Sequence, residues 1–114
     1  MEVHVNFDKK ALKEYESIKV ENKRLYEDVG KKLSELVKGL ESSGRPTIGE
    51  IIPRKELSSK LQKFLNNCGL AALWRVELCD GWRMIYSVSS DGIQIIAFVL
   101  KLGDHKDYER FLNQ

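Results

Sequence analysis

Residues 2–7, EVHVNF, set Val3, Val5 and Phe7 against Glu2, His4 and Asn6, the two-residue alternation of a half-buried strand at or near a sheet edge. Asp8 follows as a carboxylate able to cap the amides of a helix over DKKALKEYESIK, whose Leu12, Tyr15 and Ile18 form a thin apolar stripe. From about Val20 to Leu40 the helical pattern is stronger: Leu25, Val29, Leu33, Leu36, Val37 and Leu40 recur at three- and four-residue steps. Lys23, Glu27, Lys31, Lys38 and Glu41 fall on its solvated side, Gly39 is expected near its end, and Ser42-Ser43-Gly44 should stop it. Two helices after one strand predict an antiparallel hairpin laid across one face of a sheet.

Between residues 42 and 72 the pattern loosens. Pro46, Gly49 and Pro53 interrupt regular structure, and Ile48, Ile51 and Ile52 offer apolar anchors for a loop. A short helix is expected from Glu56 to Leu65, with Leu57, Leu61, Phe64 and Leu65 inward and Lys60 and Lys63 outward.

The block from Leu73 to Arg110 reads as three strands, two turns and a polar tail. A two-residue hairpin turn at Asp80-Gly81 puts Val76 opposite Ile85 and Arg75 opposite Tyr86. A second turn at Asp91-Gly92 puts Ile85 opposite Phe98. One face then holds Trp74, Val76, Arg83, Ile85 and Phe98, and the other holds Arg75, Glu77, Met84, Tyr86 and Lys101. Both faces are largely apolar, so alternation leaves open which one the helices cover. After Gly103, Asp104 can cap a short helix HKDYERFL. The expected fold class is therefore α+β: an N-terminal strand, a helical hairpin, a three-stranded antiparallel meander and a short C-terminal helix.

At 114 residues the chain has the size of one domain, 1–114. Its 42% hydrophobic and 32% charged content is that of a globular protein and excludes disordered and fibrous classes. No apolar run approaches the roughly 18 residues of a membrane span, and the start lacks a signal-peptide layout, so a cytoplasmic location and no membrane partner are expected. Cys68 and Cys79 have no metal-ligand spacing and are expected as free thiols. The net charge of +2 does not announce a nucleic-acid binder, but Arg45, Arg54, Lys55, Lys60 and Lys63 concentrate positive charge before the sheet.

Two arginines lie deep in the sheet block, and a guanidinium stays charged, so each needs water, a carboxylate or a phosphate. Glu77 follows Arg75 on the same face, which favours a structural ion pair there. Arg83 has no partner in that register and is the better candidate for an anion site. His105 and Tyr108, three apart, would share one side of the last helix. A lone histidine is usually a surface residue and a tyrosine can simply pack. Together with arginines, however, an imidazole and a phenol supply proton transfer and charge neutralisation, the roles that RNA cleavage by its own 2′-hydroxyl needs without metal or cofactor.

LWRVELCDGWRMIYSV, the apolar strand IQIIAFVL and the terminal HKDYERF resemble toxins of the RelE/ParE superfamily, in particular the branch ending in an HKxYER-like motif. The resemblance covers most of the chain and implies the RelE-like fold, a neutralising antitoxin and, for RelE-like members, ribosome-dependent cleavage of mRNA to a 2′,3′-cyclic phosphate. It places Arg83 as the arginine of a Gly-aromatic-Arg-x-x-Tyr strand that binds the scissile phosphate, with His105 or Tyr108 as general acid or base. Arg54, Lys55, Lys60, Arg75 and Lys106 follow as RNA-positioning candidates. The alternative is a non-catalytic or ParE-like module that binds gyrase or an antitoxin, since ParE-like relatives share the fold. Homodimer and toxin–antitoxin hetero-oligomer both remain open.

Overall fold

The alternating segment at the N-terminus forms strand β1 (Glu2–Phe7), and the computed structural model describes the chain from there to residue 114. Asp8 accepts a hydrogen bond from the Lys10 amide at 3.1 Å and starts helix α1 (Lys9–Glu21). Asn22 then acts twice: its amide donates to the Ile18 carbonyl to close α1, and its side chain accepts from the Leu25 amide at 3.1 Å to open α2 (Lys23–Ser43). Gly44, in the left-handed conformation at φ 73°, ends α2 where Ser42-Ser43-Gly44 predicted. Gly39 lies inside α2, buried, and a Cβ there would collide with the Thr47 hydroxyl. It admits the returning loop rather than ending the helix.

Strand β2 (Glu50–Ile51), helix α3 (Ser59–Cys68), strands β3 (Trp74–Glu77), β4 (Arg83–Ser90) and β5 (Gln94–Gly103), and helix α4 (His105–Leu112) follow. Among the described residues the sheet has five strands in the order β1-β5-β4-β3-β2, with β1 parallel to β5 and the remaining pairs antiparallel. The fold is α+β, with the expected order of strand, helical hairpin, meander and terminal helix. Helix α3 begins after Ser58, which caps it through the Leu61 amide at 3.2 Å, three residues later than Glu56. Residues 54–56 form a separate 3₁₀ turn behind Pro53.

The sheet is covered on both sides. The hairpin α1–α2 packs Ala11, Ile18, Leu25, Val29, Leu36 and Leu40 onto Val76, Met84, Tyr86, Val99 and Leu102. On the other side Leu61 and Leu65 of α3 and Tyr108 and Leu112 of α4 close over Leu73 and Ile85. Leu12, expected in the stripe of α1, is 41% exposed, and Ala11 is buried in its place.

The register between β3 and β4 differs from the two-residue turn. Leu78 donates to the Trp82 carbonyl and the loop is three residues, Cys79–Gly81, with Asp80 at φ 59° and Gly81 at φ 73°. Helix α2 holds this loop: Asp28 accepts from the Cys79 amide at 2.8 Å, and Asn22 donates to Asp80 at 3.1 Å. Arg75 consequently faces Ile85, and Glu77 faces Arg83. A one-residue slip moves every side chain of a strand to the opposite face. Arg75 and Glu77 therefore stand on the same face as Arg83, and Trp74 and Val76 turn to the helical hairpin. Between β4 and β5 the loop at 91–93 is longer than expected, but the pairing of Ser87 with Phe98 keeps both strands on their expected faces. A bulge at Leu100 then sets Lys101 opposite Ile85, so Lys101 leaves the Met84 face on which the alternation placed it.

Candidate active site

Where β3 and β4 meet α4, two guanidiniums converge on one phenol. Arg75 Nη1 donates to the Tyr108 hydroxyl at 2.9 Å, and the Arg83 guanidinium carbon lies 4.6 Å from the centre of the Tyr108 ring. Tyr108 is almost wholly buried, its ring in the second core beside Leu112 and Ile85. Each arginine is closed by a carboxylate from the solvent side: Arg75 Nη2 lies 3.3 Å from Glu50 and Arg83 Nε 3.1 Å from Glu77. The arginine side chains are 27% and 23% exposed and the two glutamates 76% and 69%, so the cations are set into the fold and the carboxylates reach them from solvent. The hydrogen bond to Tyr108, followed by that to Glu50, raises the Arg75 pKa still further above neutrality. Arg75 thus holds full positive charge at any physiological pH.

Two expectations change here. Arg83, expected without a partner, is paired across the strands with Glu77, because the longer loop brings that residue opposite it. Arg75, expected to pair with Glu77, pairs instead with Glu50, which faces it from β2.

The position of Glu50 is built from further back. The buried Tyr86 hydroxyl donates to the Ile48 carbonyl at 2.7 Å, and Gly49 adopts φ 83°, with its missing side chain directed at the Arg75 carbonyl. No residue with a Cβ fits that approach. Asp104 caps α4 through the Asp107 amide at 2.9 Å, and Ser58 donates to the Leu112 carbonyl, so α3 and α4 lock each other and hold Tyr108. The amides of Asp107 and Lys106 hold the Asp104 carboxyl below the ordinary carboxylate value.

His105 takes a different direction. Tyr108 and Leu112 are buried, whereas His105 is 66% exposed and lies 3.5 Å from Glu109 one turn on. Arg54 donates to Asn66 at 3.2 Å in the 3₁₀ turn, and Lys55 and Lys106 are exposed with no ion pair among the described residues. Lys60 lines a separate cleft on the other side of α4 together with Lys101 and Arg110. The arrangement thus joins Arg75, Arg83 and Tyr108 and leaves His105 and the remaining basic candidates around them. Sequence reasoning missed Glu50 as a partner. A strand of two residues is too short to show alternation, and the signal was the glycine before it.

The architecture has a counterpart among solved structures. A YoeB/ParE toxin from Agrobacterium tumefaciens matches 90% of this chain and 98% of its own, with a TM-score of 0.58 at 18% sequence identity. The chain has the fold of a YoeB/ParE toxin. No protein-family model and no curated protein matches the sequence, so the likeness to YoeB/ParE toxins lies in the fold. In this YoeB/ParE-type fold the arginine pair sits on the sheet face beside the terminal helix, and no helix among the described residues is long and apolar enough to cross a membrane.

Proposed function

We propose that the chain is the toxin of a type II toxin–antitoxin pair and acts as an endoribonuclease on mRNA, with the ribosome presenting the substrate and a cognate antitoxin restraining it. The observation that carries this reading is the contact of Arg75 and Arg83 with the single phenol of Tyr108. A scissile phosphate that displaces Glu77 from Arg83 would meet two fixed guanidiniums, which stabilise the extra charge of a pentacoordinate phosphorus. Since Arg75 donates to the Tyr108 oxygen, the phenolic proton is left free for the departing 5′-oxygen. Glu50, released from Arg75, is a carboxylate of the site that would take the proton of the attacking 2′-hydroxyl. The 2′-oxygen then bonds to phosphorus, the 5′-oxygen leaves with the proton, and the ends are a 2′,3′-cyclic phosphate and a 5′-hydroxyl. His105, exposed beside Glu109, is the second candidate proton carrier. Arg54, Lys55, Lys60 and Lys106 are proposed to position RNA from the periphery.

A second reading, a non-catalytic or ParE-like module that binds gyrase or an antitoxin, is favoured by the existing ion pairs, since arginines already matched to Glu50 and Glu77 can be purely structural. Expression of the chain without a partner, followed by mapping of mRNA 5′ ends and of the DNA-damage response, separates the two. New 5′ ends within messages support the endoribonuclease. Intact messages alongside DNA-damage signalling support the binder.

A further inference from the structure

Helix α4 presents more than Tyr108. Its stripe of Asp107, Arg110, Phe111 and Gln114, spaced at three- and four-residue steps, lines a cleft of about 700 Å³ shared with α3, the end of β5 and the start of α1. Phe64 of α3 enters it 40% exposed, together with the half-buried Phe111. Neither ring is stacked on another aromatic ring among the described residues. Five cations surround them: Lys9, Lys10, Lys60, Lys101 and Arg110. The cleft holds two carboxylates, and both are engaged: Asp8 accepts from the Lys10 amide at 3.1 Å, and Asp107 lies 3.8 Å from Arg110. Lys101 is tied to Glu14 at 2.8 Å, which leaves Lys9, Lys10 and Lys60 exposed without an ion pair among the described residues.

We propose that this cleft is an accessory subsite for single-stranded RNA, in which bases stack on Phe64 and Phe111 and the flanking phosphates meet Lys9, Lys10 and Lys60. The inference deepens the reading above and rests on it for RNA as the ligand. It adds contacts with the bases, where the arginine pair addresses a phosphate. Exposed phenyl rings inside a positively charged groove hold a single strand with little regard to sequence, since every base has a face to stack and every linkage a charge. The excess of cations over carboxylates, five against two, selects a polyanion. A volume of this size also admits a flat group between its walls. A helix is about 10–12 Å across with its side chains, so a strand whose scissile phosphate lies at Arg75 and Arg83 passes α4 within a few stacked nucleotides of about 3.4 Å each.

The test titrates the full chain, isotopically labelled, with a 2′-O-methyl oligoadenylate, which lacks the attacking hydroxyl and stays intact. Inorganic polyphosphate, charged but without bases, and an acidic amphipathic peptide serve as comparisons. Saturable upfield shifts of the Phe64 and Phe111 ring protons are expected with the oligonucleotide and not with polyphosphate. Phe64→Ala should weaken binding by roughly five- to hundred-fold, the range of base–aromatic stacking, and Phe64→Tyr should restore it. Lys9→Gln/Lys10→Gln should lower the slope of log affinity against log salt by about 0.7 per lysine. Dispersed amide spectra of the free variants establish that they fold. Rings unmoved by the oligonucleotide, equal ring shifts with polyphosphate, tighter binding of the peptide at the same rings, or a Phe64→Ala variant that binds as the parent does would each overturn the proposal. Cleavage enters none of these readouts. A chain that leaves messages intact yet binds here contradicts the reading above alone, and one that cleaves with Phe64 unmoved contradicts the proposal alone.

Discussion

Tyr108 is held by its oxygen and by its ring, and the two attachments can be separated. Tyr108→Phe keeps the ring beneath Arg83 and in the second core but removes the acceptor of Arg75 and the transferable proton. Under the proposed mechanism cleavage falls by roughly 10² to 10⁴, the contribution of one acid–base group, while stability falls by about 1.5–3 kcal/mol, the net value of a hydrogen bond to a charged group. Cleavage assays and urea unfolding of the same preparation check both halves. His105→Ala is expected to leave unfolding unchanged and to reduce cleavage less than Tyr108→Phe, because the imidazole stands in solvent beside Glu109. A larger loss in the histidine variant would transfer the proton-carrying role to His105. Arg83→Ala tests the chemistry less cleanly, since it also removes the guanidinium from the Tyr108 ring and leaves Glu77 unpaired.

At the level of elements, the site depends on one short strand and one loop. Gly49→Ala places a methyl group against the Arg75 carbonyl in a backbone region that favours glycine. It should cost about 1–3 kcal/mol and displace Glu50 from Arg75, read as a lower urea midpoint and as altered Arg75 side-chain resonances. The aromatic stack of Phe7, Tyr15 and Tyr26 ties β1 to both helices, with centroids 5.0 and 4.9 Å apart. Burial, reinforced by the hydrogen bond with Tyr26, pushes the Tyr15 pKa up to about 12, and burial also raises that of Tyr86. A raised folded-state value means that stability is fully present below the ordinary tyrosine pKa of about 10 and is lost as pH rises from there towards 12. The urea midpoint should therefore decline as pH is raised from about 10 towards 12, and the decline should be smaller in Tyr15→Phe.

The same scale explains what the sequence disclosed. β1, the two hairpin helices and the faces of β4 and β5 are each recorded by local periodicity, and Asp8 and Asp104 cap helices where their spacing implied. The register of β3 is not local. Asp80-Gly81 advertises a two-residue turn, but Asp28 of α2 binds the Cys79 amide and Asn22, the cap of α2, binds Asp80, so that Cys79 belongs to the loop, and those contacts lie about half the chain away in sequence. The pairing of Arg83 with Glu77 and the convergence of Arg75 on Tyr108 follow from that single extra residue.

In the whole molecule the sheet separates two cores. The helical hairpin covers one face, and α3 with α4 covers the other, where the arginines and Tyr108 meet at the margin of the second core. Under the proposed mechanism, groups drawn from a packed core are positioned with little freedom, as a reaction in which the substrate supplies the nucleophile requires. Parallel pairing of the two ends of the chain, β1 with β5, is invisible to any local pattern, although each strand taken alone was legible. The central claim is that this margin cleaves RNA through the 2′-hydroxyl. The most direct measurement is the chemistry of the ends released when the purified chain acts on a defined message with translating ribosomes. A 2′,3′-cyclic phosphate on the upstream fragment and a 5′-hydroxyl on the downstream one, both absent with Tyr108→Phe, are predicted. An intact message under those conditions, or ends bearing a 5′-phosphate, would contradict it.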